Sequence, residues 1–301
     1  MTVGVVIVTY NRIKLLKECL ERVLNQTQPV TSVIVVDNNS DDGTKEYLDS
    51  IDDDRVIVSH ERTNLGGAGG FYKALQIAFT KNFDYVLIID DDAMIEKNYM
   101  KKIVDFADKN PEYNAYAGAV YTEGMIDTYH RRKLGSRLIF WEKMIPKEMY
   151  NKPRKIELAT FCGLVIRGDE LRSIGLPVKD YFIWYDDSEF CLRIDGGIAL
   201  VPRAKLNHKT TLNYITGNNI SRITWKHYYG YRNRYDCAKK HLGPLTCIMI
   251  LGEYSVFYAG SLVMYLNANK RKQATYNIKM LTQVMTDCLT GRLGKNPDYL
   301  P

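Results

Sequence analysis

Three carboxylates in a row, Asp90-Asp91-Asp92, close the apolar run Tyr85–Ile89. Adjacent carboxylates repel, and taking one out of water is costly unless a cation or hydrogen bonds compensate. A solvated strand-to-loop junction would tolerate such a triplet. A divalent-metal site would also use it, because oxygen ligands suit Mg²⁺ or Mn²⁺. A second acidic knot, Asp186-Asp187-Ser188-Glu189, follows the aromatic pair Trp184-Tyr185. Acids in a first helical turn cap the helix and favour its dipole. A carboxylate beside aromatic surface is also how a general base for a sugar hydroxyl is commonly built. His208 lies beyond the apolar segment Ile198–Val201, and is either structural or completes a metal site with the triplet.

The elements that must position these groups alternate. Val3–Val8 is apolar and β-branched, and Ile13, Leu16, Leu20, Val23 and Leu24 then recur at helical spacing. Ser32–Val36 is a second strand, ending at Asp37, and Arg55–Val58 a third. A helix over about Phe71–Phe79 leads into the strand Tyr85–Ile89. Repeated β-α units imply an α/β fold with a mainly parallel sheet and helices on both faces. Functional groups in such sheets gather at the strands' carboxyl ends. Those ends carry Thr9-Tyr10-Asn11, Asp37-Asn38-Asn39 and Asp90-Asp91-Asp92, which implies one shared crevice. Residues 121–155 lose period and gain charge, as a long excursion over that crevice would. Strands are expected to resume at Cys162–Ile166 and Tyr181–Trp184, with a helix starting at Asp186-Asp187.

The glycine cluster Asn64-Leu65-Gly66-Gly67-Ala68-Gly69-Gly70 follows a strand and opens a helix. It is not a Rossmann phosphate loop, because the first β-α turn is TYNR and holds no glycine; a P-loop would need a terminal Lys-Ser/Thr pair. What remains is a turn where backbone approaches a ligand, or a hinge. Arg62 just before it could pair with a phosphate.

Charge is uneven along the 301 residues. Residues 221–301 hold 12 Lys+Arg against 4 Asp+Glu, while the rest is close to neutral with a net of −2. The basic, aromatic last quarter suits an acidic surface such as anionic lipid headgroups or nucleic acid. The near-neutral front argues against a nucleic-acid-binding enzyme. Cys19, Cys162, Cys191, Cys237, Cys247 and Cys288 show no ligand-like spacing and read as buried free thiols in a reducing compartment. MTVGVVIVTY lacks a basic leader and reads as a strand, which places the body in the cytoplasm.

VVIVTYNR, VIVVDNNSDDGT, RTNLGG, LIIDDDAMI and WYDDSEF together resemble the successive motifs of family 2 glycosyltransferases, over about residues 1–210. NLGGAGGF, FIWYDDSEF and YYGYRNRY resemble, more narrowly, bacterial galactofuranosyltransferases and rhamnosyltransferases. The resemblance implies a GT-A fold, a catalytic domain over residues 1–220 and a helical C-terminal region over 221–301. It implies that Thr9 and Asp37 contact the nucleotide, with Arg62 and Asn64 lining its pocket. Asp90 and Asp92 would be the DxD pair: Asp92 ligates Mn²⁺ or Mg²⁺, Asp90 faces ribose or metal, and Asp91 stands on the nucleotide-sugar side. Asp187 would be the catalytic base, Asp186 would lie beside the acceptor, Trp184 would floor a sugar, and His208 would join the metal.

The implied activity is inverting, metal-dependent transfer from a nucleotide-sugar donor to a glycan or polyprenyl-linked acceptor in cell-surface polysaccharide synthesis. UDP-galactofuranose is the preferred donor, with dTDP-rhamnose the alternative. A non-catalytic nucleotide-sugar-binding module would lack the DxD or the base, and both are present. A nucleotidyltransferase would carry a glycine-rich, lysine-bearing loop near the N-terminus, which TYNR does not supply. Leu245–Leu266 is long enough to span a bilayer, but it could also pack as a helical appendage. The expectation is a third arrangement: helices resting on the anionic inner leaflet, with Lys239, Lys240, Lys270, Arg271 and Lys272 towards the headgroups.

Overall fold

A computed structural model describes residues 1–210 and 223–300. The first ninety residues run β1 (Val3–Thr9), α1 (Ile13–Leu24), β2 (Ser32–Asp37), α2 (Thr44–Asp49), β3 (Val56–His60), α3 (Gly66–Phe79) and β4 (Tyr85–Asp90). β5 (Ala93–Ile95), α4 (Tyr99–Ala107) and β6 (Ala115–Thr122) follow. The short strands β7 (Met125–Ile126), β8 (Arg131–Ser136), β9 (Trp141–Met144), β10 (Arg154–Ile156) and β11 (Leu158–Ala159) come next. Then come β12 (Leu164–Arg167), α5 (Gly168–Ile174), α6 (Asp186–Leu192) and β13 (Ile198–His208). Three long helices, α7 (Trp225–His241), α8 (Pro244–Tyr265) and α9 (Arg271–Thr290), occupy the last part of the chain.

The chain divides into two compact units. The first holds Met1–Lys133, Lys143–Lys179 and the chain from Asp186 through β13. Its sheet has the order β10-β13-β6-β12-β4-β1-β2-β3. β3, β2, β1 and β4 are parallel, β12 runs antiparallel between β4 and β6, and β13 is parallel to β6. Val3–Val8 and Val33–Val36 are unbroken apolar runs because both faces of this sheet are covered. α1 buries Leu16, Cys19, Leu20 and Val23, the periodic set seen in the sequence. α3 begins at Gly66, five residues before the expected start, so the glycine cluster opens the helix as read from the sequence and supplies its first turn. Gly70 is where backbone approaches closely: a Cβ there would lie 2.5 Å from Val8 Cγ1 and 3.1 Å from Asn38 Nδ2. The close approach serves helix-on-strand packing. The stretch 121–155, which loses period in the sequence, holds short strands and 3-10 turns.

The second unit holds Leu134–Glu142, Asp180–Tyr185 and α7–α9 with the residues after them. Tyr181–Trp184 is not the expected strand. Phe182, Trp184 and Tyr185 have φ of 66°, 65° and 69°, a left-handed conformation that is costly for bulky side chains. Such strain persists only where the surroundings over-determine it. Here the buried Asn233 amide donates to the carbonyls of Tyr181, Ile183 and Trp184 at 2.9, 3.0 and 2.9 Å. Arg232 donates to the carbonyls of Gly294 and Asp180 at 2.7 and 3.2 Å. Carbonyls gathered on one amide cannot form a strand ladder, and YYGYRNRY supplies both gripping residues.

Candidate active site

Register sets the frame of the first unit's site. Thr9 stands beside Asp37, Asp37 beside His60, and Val8 beside Asp90. β5 folds back against the end of β13, pairing Ala93 with His208. Thr9, Asp37, Asp90-Asp91-Asp92 and His208 therefore gather at one end of the sheet. β13 is longer than the expected Ile198–Val201, and His208 is its last residue.

Thr9 Oγ1 donates to Asp91 Oδ2 at 2.7 Å. Arg12, the last residue of TYNR, donates through Nη1 to Asp91 Oδ1 at 3.2 Å and to Asp92 Oδ2 at 2.7 Å. His208 Nε2 lies 3.3 Å from Asp92 Oδ1. Burial, then the charge of Asp92, pushes Asp90 up to about 7, and burial pushes Asp91 up to about 6. Burial also opposes the charge of Asp92, but His208 and Arg12 outweigh it and hold its carboxylate below the ordinary range. Burial likewise works against the His208 cation, and Asp92 and Asp90 outweigh it, so His208 is raised. Sequence reasoning missed Arg12. Its signal was a cation three positions past the end of a strand that faces the acids.

Asp92 Oδ1 is buried with no hydrogen-bond partner, and His208 Nδ1 is too. A bare carboxylate oxygen beside an imidazole nitrogen suits Mn²⁺ or Mg²⁺. The residues present thus fit the implied ion. His130 and Cys162 also approach His208, with possible ligand atoms all within 4.8 Å of one another. The His130 nitrogens already lie 2.7 Å from Thr160 Oγ1 and 3.3 Å from Asp127 Oδ2. Burial pushes the Cys162 thiol well up, so it keeps its proton. Of that trio, His208 is the member available to a hard cation.

At the end of β2, the buried Asp37 accepts from Ser40 N at 3.0 Å and lies 2.9 Å from His60 Nδ1. His60, another residue the sequence reading passed over, also reaches Asp49 at 3.1 Å. Asn38 bridges to the start of α3 through Gly66 O at 2.8 Å, and Asn64 Oδ1 accepts from Gly66 N at 2.8 Å. Asn64 is therefore half-buried at the turn into α3. Arg62 is exposed and has no hydrogen bond or ion pair among the described residues.

The second acidic knot opens α6, as expected. Asp187 keeps 18% of its side chain exposed, accepts from Ser188 N at 2.6 Å and lies 3.4 Å from Arg132 Nη2. Arg132, on β8, was not singled out in the sequence. Asp186 is buried; burial and then the charge of Asp187 push it well above the usual range. Trp184 belongs to the second unit, edge-on to His227 with ring centres 5.5 Å apart. A Cβ at Gly230 would come 2.7 Å from its Cε3. All six cysteines are free and buried, as the sequence suggested.

The family model described as glycosyl transferase family 2 matches residues 4–167, more than half of the chain. The chain belongs to glycosyltransferase family 2. RfbF of Shigella flexneri, named as a dTDP-rhamnosyl transferase, is 28% identical over 255 residues, 80% of this chain and 81% of that one. GlfT1 of Mycolicibacterium smegmatis, a galactofuranosyltransferase, is 34% identical over 87 residues, 29% of this chain and 28% of that one. The crystal structure of GalNAc-T7 with UDP, GalNAc and Mn²⁺ superposes with a TM-score of 0.62 at 15% identity. It covers 97% of this chain and 58% of that one, and supports the GT-A fold alone. The chain spans only 33% and 38% of the first curated relatives it matches. The family 2 glycosyltransferase and the GT-A architecture anticipated from the motifs are both borne out.

Proposed function

We propose that this chain is an inverting, divalent-metal-dependent glycosyltransferase acting in polysaccharide or glycolipid synthesis, on a glycan or lipid-linked acceptor. The observation that carries this reading is the bare Asp92 oxygen beside His208, at the sheet end where Thr9 and Asp37 stand. Asp187 accepts the proton of the acceptor hydroxyl as that oxygen attacks the anomeric carbon. The bond from that carbon to the diphosphate oxygen breaks in the same displacement, so configuration inverts and no covalent enzyme intermediate is needed. Asp92 and His208 would hold Mn²⁺ or Mg²⁺, with Asp90 close by; when bound, the ion offsets charge on the departing diphosphate. Asp37, held by Ser40 and His60, would receive ribose or base.

Two donors fit the narrow motifs, UDP-galactofuranose and dTDP-rhamnose. The longer alignment with RfbF favours dTDP-rhamnose over the donor preferred from the sequence alone. A donor panel read by nucleoside diphosphate release, with Mn²⁺, tests both. Release from one of the two, lost on chelation, is expected. Release indifferent to chelation would remove the metal from this reading, and binding without turnover would mark a non-catalytic module.

Membrane association belongs to the same reading. α8 is 22 residues long and apolar enough to cross a bilayer, yet only 22% of its most apolar window is buried. Leu245, Ile248, Val256, Val263 and Leu266 are exposed. Its single charge, Glu253, is paired with Arg234 at 2.9 Å, and Ser255 and Ser261 bond back to carbonyls of their own helix. The helix thus presents no unsatisfied charge to a lipid surface, while Lys270, Arg271 and Lys272 lie exposed just beyond it. Near anionic headgroups each such cation contributes on the order of 1 kcal/mol, screened by salt. Vesicle flotation is expected to show binding to anionic but not neutral vesicles. High salt or neutralising those three residues should release it. Retention that needs detergent would indicate a spanning helix.

A further inference from the structure

We propose that Arg12 is the resident counter-cation of the acidic triplet: it competes with the divalent ion for Asp92 and passes to the donor diphosphate when the donor binds. The inference rests on the metal reading above, and concerns how the free protein manages three clustered acids.

One nitrogen, Arg12 Nη1, serves both carboxylates, Asp91 at 3.2 Å and Asp92 at 2.7 Å. Asp91 is also anchored from the other side by Thr9, so it stays in place when Arg12 leaves. Asp92 is divided. One oxygen carries Arg12, and the other is buried 3.3 Å from His208 Nε2, with no aligned hydrogen bond. An ion held by that bare oxygen would have a guanidinium on the same carboxylate, and the two positive charges oppose each other. Without Arg12, the metal-free protein would hold the triplet with less compensation, a costly arrangement for buried acids.

Arg12 is also equipped to move. Its side chain is 50% exposed, it sits at the cap position before α1, and Nε and Nη2 make no hydrogen bonds among the described residues. A guanidinium binds diphosphate oxygens through a planar fork, which a shared carboxylate edge does not satisfy. Transfer of Arg12 to the diphosphate would release Asp92 to the ion. Metal loading and donor loading are then coupled through one side chain, beyond any direct contact between ion and diphosphate.

The test measures binding to the full chain, with Mn²⁺ alone followed by its electron paramagnetic resonance, and with pyrophosphate alone by calorimetry. Arg12→Gln is expected to bind Mn²⁺ about tenfold more tightly than the natural protein, the effect of one unit charge near a divalent ion at water-like screening. It should bind metal-free pyrophosphate about tenfold more weakly. Arg12→Lys, which keeps the charge without the fork, should hold Mn²⁺ near the natural affinity and still lose pyrophosphate. Arg12→Ser repeats the neutral arm should the glutamine variant fold poorly, as judged by circular dichroism. Unchanged or weaker Mn²⁺ binding in the neutral variants overturns the proposal while leaving the metal site standing. Absence of Mn²⁺ binding in every protein, natural chain included, overturns the metal reading and the proposal with it.

Discussion

Asp187→Asn is expected to lower transfer by about 10²–10⁴-fold, the usual cost of losing a general base. Nucleoside diphosphate affinity should stay within about twofold. The amide keeps the shape of the carboxylate, and its oxygen can still accept from Ser188 N, which now serves Asp187 at 2.6 Å. The start of α6 is therefore preserved. What disappears, on the proposed function, is the ability to take a proton from the acceptor hydroxyl. Single-turnover kinetics and donor calorimetry on the same preparation separate the two effects. Loss of donor affinity together with turnover would reduce Asp187 to a structural cap. The neighbouring acid is poorly suited to stand in for it: Asp186 is buried, and that burial, which remains in the variant, raises it above the usual range.

The parts of this molecule legible in the sequence are those written by local periodicity. β1, β2 and β4 announce themselves as unbroken apolar runs that end on polar triplets, because a two-sided buried strand has no other way to read. Their parallel pairing then delivered Thr9, Asp37 and Asp90 to one sheet end without further information. The parts that stayed hidden depend on partners distant in the chain. Tyr181–Trp184 looks apolar and strand-like, but its conformation is decided by Asn233 and Arg232, about fifty residues later. Arg12 and His60 are unremarkable by composition. They matter because parallel register sets His60 against Asp37, and because Arg12 reaches across from β1's end to acids eighty residues away. The glycines before Phe71 suggest a turn or hinge by composition, whereas tight packing of α3 on Val8 accompanies their helical conformation.

Removing Asp92, the proposed metal ligand, should have the larger effect on function and a small one on folding. In Asp92→Ala, turnover and Mn²⁺-dependent donor binding are expected to vanish. So should stabilisation by Mn²⁺, which at a hundredfold excess over the dissociation constant is about 2.7 kcal/mol for a one-site ion. From composition alone, deleting one of three adjacent acids would relieve repulsion and cost nothing. The ion pairs change that sum. Asp92 attracts Arg12 and His208 while it repels Asp90, and burial together with that repulsion is what pushes Asp90 up to about 7. Arg12 keeps Asp91 as a partner and is half-exposed, so its loss is screened. His208 loses the acid that raised it and relaxes towards the neutral form. These terms oppose one another, and the metal-free variant should unfold in urea within about 1 kcal/mol of the natural protein at neutral pH. The contribution of Asp92 itself has a defined sign with pH. A carboxylate held below its ordinary value stabilises the fold above the unfolded value near about 4, and that contribution is lost as pH falls through the folded value. The variant lacks the contribution, so the two proteins should converge in acid. Unchanged turnover in Asp92→Ala, with unchanged response to Mn²⁺ in both melts and kinetics, would remove the ion from this site.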